Sequence, residues 1–286
     1  MIAIVLGFAT SVVYGFADFF GAIAAKKINA LTVTLVAGLS GLVFLFSMTP
    51  FFGLPLDSTA IFWGILSGVF SALAISLLYA SLAIGPISIL SPLGAIVSAL
   101  IPMGFGVFIV GESFSQFGFL ALAGILIAVG LVGFSPGADV RLPSLKGLLL
   151  AIGAGASIGL VLIFLDQTPS DSGLTPIVFL RAFSALTIGV ILLASLGFSK
   201  RAIQTTPNPR LWLAAGLAGI LDSTANILFL NAIRLGELSA VAVLTALYPL
   251  GTIILARVFL KEKIAKLQLA GVLLALSCSA LLASGI

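Results

Sequence analysis

Histidine is absent from the 286-residue chain, cysteine occurs once, at Cys278, and only 8% of the residues are charged. Without an imidazole, neither a Ser-His-Asp triad nor a Cys-His nucleophilic pair can form. One cysteine and no histidine provide too few ligands for a zinc or iron–sulfur site. We therefore expect no metal site, no cofactor and no enzymatic activity.

Charged residues are too scarce for a soluble domain, in which roughly a quarter of the residues are charged. The chain is instead 61% hydrophobic. A helix of around 20 apolar residues crosses a bilayer core about 30 Å thick, and such runs recur throughout the sequence. The predicted fold is an all-α integral membrane protein, its first helix retained, with ten transmembrane helices at 2–24, 30–50, 60–84, 87–110, 116–135, 145–165, 175–196, 210–233, 238–260 and 265–285.

Basic residues are distributed unevenly among the connections between the predicted helices. All but two of the 13 lysines and arginines lie in or beside connections that follow odd-numbered helices; the exceptions are Arg181 and Arg234. Basic residues near helix ends favour the cytoplasm. We therefore predict a multi-pass protein of the cytoplasmic (inner) membrane with both termini outside. The net charge of +4 reflects this topology, so we expect no nucleic-acid partner.

An internal repeat divides the chain. "LLYASLAIGPISILSPLGAI" (Leu77–Ile96) aligns with "LFLNAIRLGELSAVAVLTAL" (Leu228–Leu247) at an offset of 151, which places Gly85 on Gly236, Ser88 on Ser239 and Ala95 on Ala246. The predicted parts are a first five-helix repeat (1–136), a cytoplasmic linker (137–144) and a second repeat (145–286). Five is an odd number, so the second repeat crosses the membrane inverted. Inverted repeats recur in secondary transporters, whose substrate sites lie near the bilayer midplane.

One stretch of the second repeat carries a recognisable pattern. Phe229–Ser277 contains an alanine before a small-residue turn, then Pro249, then Glu262, with Gly271 nine residues later. This pattern, together with "VFLRAF" around Arg181, resembles the EamA-type branch of the drug/metabolite transporter (DMT) superfamily. The resemblance implies a ten-helix transporter in which the first, third, fourth, sixth, eighth and ninth helices surround a cavity. The family handles amino acids, nucleosides, sugars and amphipathic drugs.

Asp222 lies at the centre of the eighth predicted helix, and Asn226, four residues later, shares its face. Inserting a central carboxylate costs at least about 2.5 to 3.5 kcal/mol, so it needs a partner or a wet cavity. Two interpretations stay open: contact with substrate or protons, or a contact between helices. Arg181 is predicted to form a structural or gating ion pair, with Asp166, Asp171 or Asp222 as candidate partners.

Asp18 lies in the inner part of the first predicted helix, with Tyr14 one turn earlier on the same face. We interpret Asp18 as a carboxylate that binds a proton or a substrate amine. The resemblance supports this role, since in the related small multidrug resistance proteins protons and substrate compete for a first-helix carboxylate. The alternative is an interfacial acid held by Lys26 or Lys27.

Tyr79 and Tyr248 are predicted to line the cavity, because each offers a hydroxyl group and a ring face to an amphipathic ligand. Pro92, Pro102 and Pro249 lie within predicted helices. Proline removes a backbone donor, so these residues are predicted hinges.

The sequence therefore predicts a secondary transporter of a small metabolite, such as an amino acid or an amine, that works by alternating access coupled to protons. An uncoupled facilitator or exchanger is the main alternative, and a channel-like or structural bundle is a further one. The expected partners are the lipid bilayer, a small-molecule substrate and protons, with the protein a monomer or weak homodimer.

Overall fold

The computed structural model describes residues 1–25, 27–84, 87–133, 143–198, 208–259 and 265–283. Regular secondary structure in these ranges is entirely helical. Eight helices are long and apolar enough to cross a membrane, and Leu238–Thr252 and Lys266–Leu282 are shorter apolar segments. The helices are α1 Ile2–Ala25, α2 Ala30–Phe52, α3 Ser58–Ile84, α4 Ile87–Phe105 with a π-helical turn Gly106–Val110, α5 Gln116–Gly133, α6 Leu145–Asp166, α7 Thr175–Phe198, α8 Pro209–Ile233, α9 Leu238–Thr245, α10 Pro249–Phe259 and α11 Lys266–Ala283.

Short polar side chains mark several helix starts. Asn29, Ser144 and Asn208 each accept a hydrogen bond from a backbone N–H two or three residues later, at 2.9 to 3.1 Å. These N-caps satisfy donors that have no partner inside the helix. Most described helices accordingly begin and end close to the predicted bounds.

The ninth predicted helix, 238–260, is wrong as a continuous element. It is broken into α9 and α10 by a turn between Thr245 and Pro249. Pro249 has no backbone N–H, and its ring would clash with the carbonyl of residue 245 in a continuous helix. The amides of Leu247 and Tyr248 therefore bond three residues back, to Leu244 and Thr245, at 3.1 Å.

The helices pack in two groups. The α1 group contains α1, α2, α8, α9 and α10: α1 packs against α8, α9 and α10, and α2 packs against α8. The α3 group contains α3, α4, α6 and α7, in which α3 packs against α6 and α7, and α4 packs against α6. The groups meet where α2 contacts α7 and α4 contacts α9, while α5 and α11 pack together.

Two glycines let backbones touch within the α1 group. A Cβ atom on Gly15 would overlap the carbonyl oxygen of Tyr248, and one on Gly219 would overlap that of Ala37. Small residues at helix contacts allow such close approach. Gly15 therefore places the middle of α1 directly against the break between α9 and α10.

One end of the bundle joins both groups, and we call it the sealed end. The Leu174 amide donates to the Gly53 carbonyl at 3.1 Å, and the Thr175 hydroxyl donates to the Pro55 carbonyl at 2.6 Å. A buried apolar cluster that includes Leu174 extends through α6, α7, α8 and α9. The sealed end comprises the connections 53–57, 111–115, 167–174 and 234–237.

The opposite end is organised differently. Its buried apolar cluster in the described residues consists of Ala24, Ile28, Val33, Ala214 and Ala215, which belong to the α1 group and its connections. In the described ranges, two other buried clusters contain helices of both groups: the one that includes Leu174, and one that joins α4 and α9 with α5 and α11.

Candidate functional site

Asp18 points into the bundle between two neighbouring helices. On the same helix, Gly15 faces α10, and Gly21 faces Ala218 of α8. At about 100° per residue, these two glycines are about 120° apart around the α1 axis, with Asp18 midway between them. The side chain of Asp18 is therefore directed between α8 and α10 and away from surrounding lipid.

Asp18 is nevertheless exposed to solvent, although its chain neighbours Ala17 and Phe19 are only 5% and 4% exposed. Ala22, one turn later, is exposed as well, and Tyr14, one turn earlier, is half-buried. An interior direction combined with solvent exposure means that this face of α1 lines an accessible space. Asp18 is about 10 Å along the helix from the end of α1 opposite the sealed end.

Other polar groups of the bundle surround Asp18. It lies within electrostatic range of Asp222 on α8 and of Tyr248 at the α9–α10 break. Tyr14 interacts electrostatically with Asp18, Asp222 and Arg181. The structure thus brings together five of the residues that the sequence singled out, from α1, α7, α8 and the α9–α10 turn.

Arg181 and Asp222 form an ion pair between α7 and α8. The Arg181 side chain is 10% exposed and that of Asp222 is 32% exposed, so the pair is open to solvent mainly on the Asp222 side. The Arg181 Nε is buried and has no hydrogen-bond partner in the described residues. Among the three acids considered from the sequence, Asp222 is the one that Arg181 contacts.

Asn226 lies beside this ion pair on the same helix. Its amide donates to the Asp222 backbone carbonyl at 2.8 Å and approaches the Asp222 carboxylate at 3.5 Å. Asn226 is only 4% exposed. In this conformation it contacts Asp222 and does not line the accessible space.

The predicted hinge prolines and Tyr79 lie on other parts of the helices. Pro92 and Pro102 lie inside α4, and Pro249 is the first residue of α10. Tyr79 belongs to α3, but its side chain lies outside the described part of the structure, as does Glu262. In the described residues no group of three or more cysteine, aspartate or glutamate side chains could hold a metal ion.

The sealed end contains a second polar arrangement. The Glu112 carboxylate accepts hydrogen bonds from the Leu238 and Ser239 amides of α9, at 2.7 and 3.0 Å. Nearby, the Arg234 guanidinium donates to the Ser172 hydroxyl at 2.9 Å. Both contacts link the α1 group to chain segments that follow helices of the α3 group.

Two ionisable groups in these connections are perturbed. Burial, followed by the neighbouring Glu112 carboxylate, raises the pKa of Glu237. Burial lowers the pKa of Arg234, an effect that Asp171 opposes. As the pH falls, Glu237 therefore takes up its proton earlier than an ordinary glutamate and can donate a hydrogen bond to Glu112.

Comparison with known proteins finds a similar family. Residues 145–284 match the sequence profile of the EamA-like transporter family. This part of the chain is therefore similar to that family. The family lies within the DMT superfamily, so the resemblance carried by Phe229–Ser277 is confirmed. Together with the long apolar helices, the match indicates that this EamA-like chain is a multi-pass membrane protein.

A solved crystal structure has a similar fold: the match covers 98% of this chain and 98% of the chain in that structure, with 15% identity and a TM-score of 0.77. At that identity the likeness shows the fold alone. No curated protein matches the EamA-like chain.

The contacts made by Glu112 were not predicted from the sequence, although Glu112 and Glu262 lie at corresponding points between the fourth and fifth predicted helices of the two repeats. That correspondence was the available signal. The partners of Glu112 are backbone amides 126 and 127 residues away, and no side-chain pattern marks them. The family profile, which begins at residue 145, does not include Glu112.

Proposed function

We propose that this EamA-like protein is a secondary transporter that carries a small metabolite across the cytoplasmic membrane by alternating access coupled to protons. The supporting observation is Asp18, a carboxyl group that is exposed to solvent yet directed into the bundle between α8 and α10. Acids within membrane helices are costly and usually face partners or water-filled pathways. A carboxyl group that is both interior and accessible can bind and release a proton or a substrate.

Asp18 and Asp222 have different roles in this proposal. Asp222 is paired with Arg181, so the two charges cancel. Among the side chains that the structure describes, no basic group lies within ion-pair distance of Asp18; Lys27 forms no ion pair with it, and Lys26 and the side chain of Arg257 lie outside that description. We therefore assign the exchange of a proton or a cationic group to Asp18, whose carboxylate is exposed, and not to Asp222, which is already paired.

The charges suggest how coupling works. Asp18, Asp222 and Arg181 together carry one net negative charge when both acids are ionised. One proton or one ammonium group on Asp18 neutralises the site, and either one excludes the other. An amino acid or organic amine would thus bind as a proton leaves. The half-buried rings of Tyr14 and Tyr248 offer apolar surface beside the carboxylate.

The packing of the helices supports the proposed ten-helix inverted repeat, with α9 and α10 together as one broken span. In such a repeat, α1 corresponds to α6, α2 to α7 and α3 to α8. The α1–α8 contact then has the α3–α6 contact as its counterpart, and the α2–α8 contact has the α3–α7 contact. All four contacts are present. The contacts α2–α7 and α5–α11 convert into themselves. We retain 1–136 and 145–286 as the repeats, with a linker at 137–144 that lies largely outside the described residues.

The charge distribution also suggests an orientation. With the basic connections in the cytoplasm, both termini and the sealed end face outward. The space beside Asp18 would then open to the cytoplasm, so this conformation is inward-facing. We propose that the protein works as a monomer or weak homodimer in the bilayer.

Proton-coupled transport should be observable in proteoliposomes loaded with a pH-sensitive dye. Free amino acids and organic amines, added one by one, should identify a solute that causes saturable proton movement opposite to its own. Labelled solute inside the vesicles should leave faster when unlabelled solute is present outside. Saturable exchange unaffected by an imposed pH gradient would favour the uncoupled exchanger, and non-saturable flux would favour a pore.

A further inference from the structure

The start of α9 lacks a cap of its own. Glu237 occupies the N-cap position, yet it forms no side-chain hydrogen bond that caps the helix. The first amides of a helix have no partner within it. All eight residues of α9 are buried, so water has little access to these donors. Leaving them unpaired would be costly.

Glu112 provides the missing cap from another part of the chain. Its two carboxylate oxygens accept from Leu238 and Ser239, one each, at 2.7 and 3.0 Å. A negative charge is also favoured at a helix N-terminus, where the helix dipole is positive. Glu112 follows α4, so this contact joins the α3 group to the α1 group.

The local backbone of α4 is shaped around this contact. A Cβ atom on Gly106 would overlap both the Glu112 carboxylate and the Ser239 hydroxyl. Gly106 begins the π-helical turn, and Gly111, which precedes Glu112, has a left-handed φ of 84° that favours glycine. The Ser239 hydroxyl donates to the Met103 carbonyl at 3.1 Å. The contact between Glu112 and α9 is therefore supported by the backbone of α4 and by the hydrogen bond from Ser239.

We propose that Glu112 is a latch that holds the sealed end closed by capping α9 and that must be released for this end to open. The inference rests on the alternating-access transport proposed above. When the α3 group moves away from the α1 group, the carboxylate leaves α9, and water replaces it at the two amides. Glu112 is a positioning residue: it sets the balance between closed and open states without touching substrate.

Labelling of a buried cysteine tests the latch without any substrate. The probe is Val241→Cys in a Cys278→Ala background, since Val241 is 1% exposed within the cluster that closes the sealed end. In lipid nanodiscs, we expect Glu112→Ala to accelerate labelling of this probe by a water-soluble maleimide by roughly tenfold or more, because two charge-assisted hydrogen bonds are lost.

Two controls make the result specific. Glu237→Gln changes a neighbouring acid at the same end but leaves both hydrogen bonds from α9 to Glu112 in place, so labelling of the Val241→Cys probe should not rise above the parent rate. A second probe, Leu122→Cys, lies in a separate buried cluster formed with α11 and is 1% exposed in the parent structure. Its labelling should stay slow with Glu112→Ala unless the whole protein unfolds.

Unchanged labelling of the Val241→Cys probe in the Glu112→Ala protein would overturn the latch. If both probes become reactive, the substitution has unfolded the protein. The same labelling is then measured with Glu112→Gln, which removes the charge and one of the two acceptor oxygens. Parent-rate labelling there would overturn the proposal as well. Because labelling needs no solute, the latch can fail while transport stands, and transport can fail while the latch stands.

Discussion

Replacing Asp18 with asparagine should decrease proton-driven transport by about tenfold to a hundredfold and remove its pH dependence. The substitution keeps the shape of the side chain but cannot exchange a proton or bind an ammonium group as an anion. A charge-assisted contact of this kind is worth about 1.5 to 3 kcal/mol. Initial rates of solute uptake in proteoliposomes, measured across a pH series, give both values.

The matched control for this variant is Asp57→Asn. Asp57 lies in a connection of the sealed end, where its carboxylate accepts from the Ala60 amide at 2.7 Å. Asparagine can keep this cap, so transport and its pH dependence should match the parent protein. Parent-like rates and an unchanged pH profile in the Asp18→Asn protein would remove Asp18 from the coupling mechanism.

Replacing Arg181 with glutamine should destabilise the protein by about 3 to 5 kcal/mol, because it leaves the Asp222 carboxylate without its cation in a partly buried position. The double variant Arg181→Gln/Asp222→Asn should recover much of this loss, since it removes both charges together. Unfolding of the parent, the two single variants and the double variant in the same lipid or detergent forms a double-mutant cycle that isolates the pair.

Additive effects in this cycle would mean that the ion pair contributes nothing to stability. Transport by the double variant gives separate information. If the pair only holds α7 and α8 together, the stable double variant should transport at a rate close to that of the parent. If the pair also works as a gate, stability should recover while transport stays low. The gating role proposed for Arg181 predicts the second outcome.

The positions of the helices were predictable because the bilayer imposes a simple requirement. Each crossing needs around 20 apolar residues whose backbone bonds are satisfied within the helix. The prediction failed at the ninth helix because an apolar run does not show whether a proline kinks a helix or ends it. Pro249 was recognised as a hinge, yet it separates α9 from α10 altogether.

The partners of the polar residues were less predictable than the residues themselves. The sequence identified Arg181 and Asp222 but left three acids as possible partners of Arg181. The two residues are 41 positions apart, and only the packing of α7 on α8 brings them together. The direction of Asp18 depends likewise on Gly15 and Gly21, whose contacts with α10 and α8 are known only from the fold.

Access of water to Asp18 is the most direct test of the account. In a Cys278→Ala background, a cysteine at position 18 should react rapidly with a membrane-impermeant, charged thiosulfonate in inside-out vesicles. A cysteine in place of Phe19, which is 4% exposed, should react slowly under the same conditions. Rapid labelling at position 18 with protection at position 19 is the expected result. Protection of position 18 from both sides of the membrane would contradict the accessible interior acid and the transport cycle built on it.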